Sequence, residues 1–352
     1  MEIRPFLGAD ADPSELRQRY ELYAADRRSV FPGFPIHSYG QYVASARRLT
    51  PVAGPALGWS AWERERLIGS ASLSVVEHEG MVVAVPRVEV AADSRRRGVG
   101  TALLRRLVAS ASAHGCATLA ADAVRVGSDG GLWAERVGFR TVQVFSWQML
   151  HIQEVDPARW QVPVPAGYRL EYWIAAAPEA LVAAFASARN AIADSPLGDS
   201  SLTHPAWTVE RVRRVEAEIA AGGDQSHCVV AIHEDSGVLA AFTELLVDPL
   251  RPALCWQRDT AVVRAHRGRG LGRAVKAEML NRLAAEVPDL DCIVTSTASE
   301  NAGMRRVNEQ VGYVPYAEIG MLEAATADIE AALAIPGPRH RPLLERVADF
   351  EA

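Results

Sequence analysis

Two segments of this chain repeat one another, and the distance between them limits what it can fold into more than any other feature. Residues 88–100, VEVAADSRRRGVG, are matched by residues 260–272, TAVVRAHRGRGLG. Each runs from a β-type stretch through Arg-x-x-Gly-x-Gly into an amphipathic helical pattern. Gly98 and Gly270 lie 172 residues apart, and Val137-Gly138-Phe139 returns as Val311-Gly312-Tyr313 at an offset of 174. That period is far too long for a solenoid. It predicts two copies of one domain, each long enough to bury its own core.

The local patterns agree with a duplication. In the first copy, alternation of β-branched residues predicts strands over 57–64, 69–77, 81–90, 118–124 and 139–152. Apolar i, i+3, i+4 spacing predicts helices over 14–29, 99–114 and 128–137. In the second copy the same signals predict strands over 168–174, 228–233, 238–247, 254–263, 291–297 and 314–322. Helices are expected over 178–190, 208–221, 271–286 and 302–311. Several strands precede each glycine motif, which predicts an α+β, mixed-sheet domain rather than a doubly wound one. The expected division is a first domain over 1–155, a proline-rich linker over 156–167, a second domain over 168–324 and a tail over 325–352 with a short helix at 325–334.

Composition excludes several functions. The 352 residues include 37 Lys+Arg and 43 Asp+Glu, a formal net charge of −6, which argues against a nucleic-acid partner. Lys276 is the only lysine in the chain. Cys116, Cys228, Cys255 and Cys292 are too far apart for a metal knuckle or a CxxC pair, so no metal is expected. The start, Met1 to Pro5, lacks signal-peptide character, and no run of about 18 apolar residues exists to span a membrane. A cytoplasmic protein, monomer or homodimer, is the expectation.

Arg-x-x-Gly-x-Gly between a strand and a helix gathers free backbone amides at a helix N-terminus, where the dipole favours an anion such as a diphosphate. A Walker A loop would need Gly-Lys-Ser/Thr, and the dinucleotide fingerprint a third glycine; neither copy has them. With both copies carrying the arginine and the glycines at one spacing, the sequence resembles the GNAT superfamily of acyl-CoA-dependent N-acetyltransferases, in tandem form. That resemblance implies acetyl-CoA as cosubstrate and a splayed sheet with the thioester arm between two diverging strands. Val90 and Val262, with Val263 beside it, would offer strand-end amides. Arg95, Arg97, Gly98, Val99, Gly100 and Thr101 would form one diphosphate loop, and Arg267, Arg269, Gly270, Leu271, Gly272 and Arg273 the other.

The family's later pattern, Asn-x-x-Ala-x-x-x-Tyr-x-x-x-Gly-Phe, is met in part. Asn301 and Gly312-Tyr313 match in the second copy, but Asn308 stands at the tyrosine that usually protonates the departing thiolate. In the first copy the two polar positions are Gly127 and Ala134. The second copy is therefore expected to be the catalytic one, with Asn301 in its site. A thiolate is a fair leaving group without a protein acid.

Acyl transfer to an amine needs a proton acceptor. Glu244 and Asp259 lie in mostly apolar strands, where a carboxylate is costly unless paired, for instance with Arg258 or Arg251. Either would serve as the base of the second copy; Glu89 is the nearest equivalent in the first. His266 beside the loop, the aromatics Trp256, Tyr313 and Tyr316, and Lys276 on the loop helix complete the candidates. The expected reaction moves an acetyl group from acetyl-CoA to a primary amine of a small molecule: an antibiotic, an amino sugar or a mycothiol-precursor-like acceptor. Acetylation of a protein lysine or N-terminus, and a non-catalytic acyl-CoA-binding regulator, are the alternatives.

Overall fold

The computed structural model describes residues 1–8, 10–47, 57–78, 81–196, 198–201, 206–249 and 251–333. The chain divides into two compact units. One comprises Met1–Val142 with the segment that returns at Gly320; the other is Gln143–Ile319.

The first unit opens with β1 (Glu2–Phe6), α1 (Pro13–Val30) and α2 (Tyr39–Arg47), followed by β2 (Leu57–Glu63), β3 (Arg66–His78) and β4 (Met81–Val90). The glycine motif leads into α3 (Val99–Ala113), then β5 (Thr118–Arg125) and α4 (Asp129–Arg136). β1 to β4 are antiparallel neighbours in chain order, and β5 joins β4 in parallel. The apolar stripe of α3, Val99, Leu103, Leu104, Leu107, Val108 and Ala111, packs on Ile68, Ala71, Leu73 and Ala84 of the sheet. Because strand side chains alternate between faces, Val88 and Val90 turn to that core while Glu89 turns to the face covered by α1.

The second unit takes most of β6 (Arg140–His151), then β7 (Tyr168–Ile174), α5 (Val182–Arg189), α6 (Val209–Gly222), β8 (Gln225–His233), β9 (Leu239–Val247) and β10 (Leu254–Val262). Its glycine motif opens α7 (Leu271–Glu286), followed by β11 (Cys292–Ala298) and α8 (Ala302–Val311). The strand order is β6-β11-β10-β9-β8-β7, parallel only at β10–β11. α7 buries Leu271, Val275, Met279, Leu280 and Leu283 on one side of the sheet. Phe185, Val212, Val230 and Phe242 form the core on the other.

The chain then exchanges its last strands. β6 follows the first copy in sequence, yet its residues Phe145–His151 pair with β11 inside the second unit. β12 (Val314–Ala325) leaves the second copy and, from Gly320, belongs to the first unit, where Leu322 and Ala324 join the core. α9 (Thr326–Ala332) follows; Thr326 bonds the backbone of Cys116 and Ala117, and Ile329 is fully buried. The division expected at 155 and 168 thus differs from the observed one, since register between strands, not chain order, decides which core a segment completes.

The expected linker is not free either. Pro157–Trp160 form a 3-10 turn, Trp160 is buried, and its indole donates to the Val311 carbonyl at 2.9 Å. All four cysteines are buried and unbridged. No helix among the described residues is long and apolar enough to cross a membrane. The expected tail beyond 333 lies outside the described residues.

Candidate active site

The two glycine loops are superimposable in their backbone angles. Gly98 and Gly270 both adopt φ 81°, ψ 1° as left-handed caps before α3 and α7, a conformation that costs any residue with a Cβ. Two positions earlier in the turn, Arg96 (φ 61°) stands where the second copy has Gly268 (φ 75°). The first intrahelical bonds run from Ala102 to Gly98 and from Ala274 to Gly270, each 3.0 Å. Hence the amides of Val99, Gly100 and Thr101, and of Leu271, Gly272 and Arg273, have no carbonyl a turn below to serve. A Cβ on Gly100 would lie 3.6 Å from Val90, and one on Gly272 3.6 Å from Val262. Those distances are ordinary contact, so crowding does not force the second glycine; without a Cβ it leaves the space beside the strand end open. These amides and this gap fit a diphosphate.

The motif arginines turn inward. Arg95 Nε donates to the Val90 carbonyl at 3.3 Å and Arg267 Nε to that of Val262 at 3.0 Å. Their outer nitrogens meet Asp26 (3.1 Å) and Asp194 (2.5 Å), and Arg264 also reaches Asp194 at 3.0 Å. Arg97 pairs with Glu63 at 2.6 Å, while Arg269 is exposed. Arg95 and Arg267 therefore brace the loops from below, and the unpaired amides are left to meet an anion.

Beside each loop two parallel strands separate. β4 pairs with β5 only at Val83↔Thr118 and Ala84↔Leu119, six residues short of Val90. β10 pairs with β11 from Leu254 to Gln257 and then parts from it, running on to Val262 beside β9. Ala91 and Val263 donate their amides to Ile68 and Ala240 of the neighbouring strands. By alternation, the amides of Val90 and Val262 face the opening. Val263 is thus corrected as an amide donor to a ligand: its N–H is already bonded.

The carboxylates of the second unit are locked. Arg189, with 2% of its side chain exposed, donates Nη1 to Glu244 (3.1 Å) and Nη2 to Asp259 (2.8 Å). Glu244, itself 5% exposed, also accepts from Ser226 at 3.0 Å and lies 3.6 Å from Arg258. The guanidinium stacks 3.7 Å from the Trp207 ring. Breaking such a buried pair leaves an uncompensated charge, so Glu244 is held as a structural anion. Asp259 retains 34% exposure, at the register slip between Gln257 and Thr260. A hollow of about 460 Å³ between α5 and the β8–β9 turn ends at Asp194 and Arg264, whose charges already meet.

The first unit differs at one decisive position. Six residues before the motif arginine it has Glu89, where the second has Ala261. Glu89 faces Ser70 across the strands and accepts from its hydroxyl at 2.9 Å, whereas Ala261 faces Phe242. Burial first, then the nearby Asp26, pushes the Glu89 carboxyl above the usual range. Tyr42 of α2, also pushed up by burial, lies in its electrostatic reach with Arg19. Arg19 is fixed by Ser60 at 2.7 Å and the Trp59 carbonyl at 3.1 Å. Glu89 is half-buried, makes no ion pair among the described residues, and sits one residue from the Val90 amide that faces the opening.

The model of the Acetyltransferase (GNAT) family matches residues 18–139 and again 191–313. The chain belongs to the GNAT family. It is a tandem GNAT-type acetyltransferase, and the fold implies use of acetyl-CoA. Among solved structures, a tandem GNAT protein from the clavulanic acid biosynthesis pathway is 24% identical with a TM-score of 0.73, over 92% of this chain and 98% of that one. A GCN5-related N-acetyltransferase from Sphaerobacter thermophilus is 16% identical with a TM-score of 0.69, over 92% and 96%. None of the curated proteins matches in sequence.

Against this GNAT frame several expected residues change role. Asn301 is the N-cap of α8, its Oδ1 accepting from the Met304 amide at 3.1 Å. Asn308 is fully buried and donates to Gln148 (2.8 Å) and Thr297 (3.1 Å). Tyr313 is core, and Lys276, 2% exposed, points into that core 5.2 Å from its ring, not toward a phosphate. Trp256 packs edge-on to Trp147. His266 bonds the Tyr168 hydroxyl at 2.7 Å. Asp26, Asp194 and Arg189 were not expected: each lies in a helix or turn with no motif, and only their partners on distant strands give them meaning.

Proposed function

We propose that the enzyme transfers the acetyl group of acetyl-CoA to a primary amine of a small molecule in the cytoplasm, and that the first unit performs the transfer. The observation that carries this reading is Glu89: a carboxyl raised by burial, beside an open strand-end amide, on the face away from α3. The cosubstrate supplies an activated acetyl thioester. Glu89 would take a proton from the acceptor ammonium, leaving a neutral amine to attack, while the Val90 N–H would stabilise charge on the thioester oxygen. With Ala134 at the family's tyrosine position, the thiolate would leave without a protein acid, and the second proton shed by the attacking nitrogen would pass through water to the departing sulfur.

This reverses the order expected from the Gly-aromatic pattern. In the second unit the equivalent of Glu89 is Ala261 and the two carboxylates serve Arg189. One observation favours a second reading: Asp259, one-third exposed at the strand irregularity, could accept a proton there. The acceptor class is tested by thiol release from acetyl-CoA with aminoglycosides, amino sugars, polyamines and lysine peptides. Turnover with a soluble amine is expected. Turnover confined to peptides would instead support protein acetylation, and none with tight CoA binding a regulator.

A further inference from the structure

In both units the motif arginine makes the same two contacts, one to a strand-end carbonyl and one to an aspartate from the preceding helical segment. In the first unit these are Val90 and Asp26; in the second, Val262 and Asp194. Asp26 lies on α1, 69 residues and several elements before its partner in sequence, yet it reaches Arg95 beneath the glycine loop at 3.1 Å. Arg95 also lies 3.7 Å from Asp129. What differs is what stands next in line. In the second unit the neighbour of Val262 is Ala261, which cannot respond to a charge. In the first it is Glu89, whose electrostatic surroundings include Asp26.

We propose that Asp26 and Arg95 form a charge link between the anion loop and Glu89, in which Asp26 is a positioning residue for the base and Arg95 sets how strongly it acts. This rests on the reading of Glu89 as the base. Ser70 of β3 bonds Glu89, and the charges that act on it come from Asp26, Arg19 and Arg27 of α1, with Tyr42 of α2; Arg87 on its own strand is drawn off to Asp122 at 3.7 Å. Of these, Asp26 is the carboxylate, and its like charge makes Glu89 hold its proton more tightly. Arg95 partly neutralises Asp26. A diphosphate on the loop amides would place its negative charge beside the same guanidinium and compete for its field. Less of its charge then offsets Asp26, and Glu89 becomes the stronger base when the cosubstrate is in place.

The test is the titration of Glu89 itself, followed by carbon-13 NMR of glutamate-labelled protein and assigned with Glu89→Gln. Asp26→Asn is expected to move the Glu89 midpoint to lower pH by about half a pH unit or more. Arg95→Gln is expected to move it the other way, and CoA to raise it more in the native chain than in Asp26→Asn. Damage to the fold alone would shift both variants in one direction, and that result, or no shift in Asp26→Asn, would overturn the link. The measurement needs no turnover. An inactive protein with the expected opposite shifts would refute the proposed reaction and leave the link standing.

Discussion

At the residue scale, chemistry in this protein depends on which charges are paired and which are left available. Glu244, Asp259 and Glu89 all read alike in sequence, as carboxylates in apolar strands. Arg189 separates them: it takes the first two. Lys276 is the opposite case, a cation buried beside Tyr313, and burial pushes its amine down to about 7. Between that value and the ordinary 10.5, the unfolded chain holds a proton that the folded one has released, so stability rises with pH across the window. Lys276→Met should therefore raise the melting temperature at pH 7, with the advantage shrinking as pH approaches 10. A constant gap between the two proteins at pH 7 and 9.5 would contradict the assignment. Glu89 has the reverse sign: its carboxyl, raised by burial, loses stability for the fold as pH rises from the usual glutamate value through its own.

At the element scale, strands and loop helices were legible because their signals are local. The alternation over 81–90 and 254–263 and the stripe from Leu271 to Leu283 correspond to β4, β10 and α7 almost residue for residue. β1 was missed because it holds Pro5 and buries only Phe6; α2 was missed because it has no buried residue to mark a stripe. The strand exchange was illegible for a different reason. Nothing local in residues 314–325 says that their second half completes the core of residues 1–142. The returning segment makes a firm prediction. Ile329→Ala, near the end of the described chain, should destabilise the first unit by about 2–5 kcal/mol, read as early loss of hydrogen-exchange protection in β4 and α3. Loss in β9 and α7 instead would contradict the exchange.

At the scale of the whole molecule, duplication has left two glycine loops of the same geometry, with strands of different chemistry beside them. The loops were legible in sequence as far as their position and backbone conformation; the direction of Arg95 and Arg267 was not, since a motif does not say which way a side chain turns. The Gly-aromatic pattern pointed to the second copy, but Asn301 caps a helix and Asn308 sits in a buried network, so that pattern reports the packing of α8. The account's central claim is that one unit, the first, carries the base. The direct measurement is the rate of thiol release from acetyl-CoA, with an amine accepted by the native enzyme, in Glu89→Gln beside Asp259→Asn. The account predicts a loss of about 100-fold or more in Glu89→Gln, with the KM for acetyl-CoA and the fold retained, and a native-like rate in Asp259→Asn. A native rate in Glu89→Gln with the loss in Asp259→Asn would move catalysis to the second unit and contradict it.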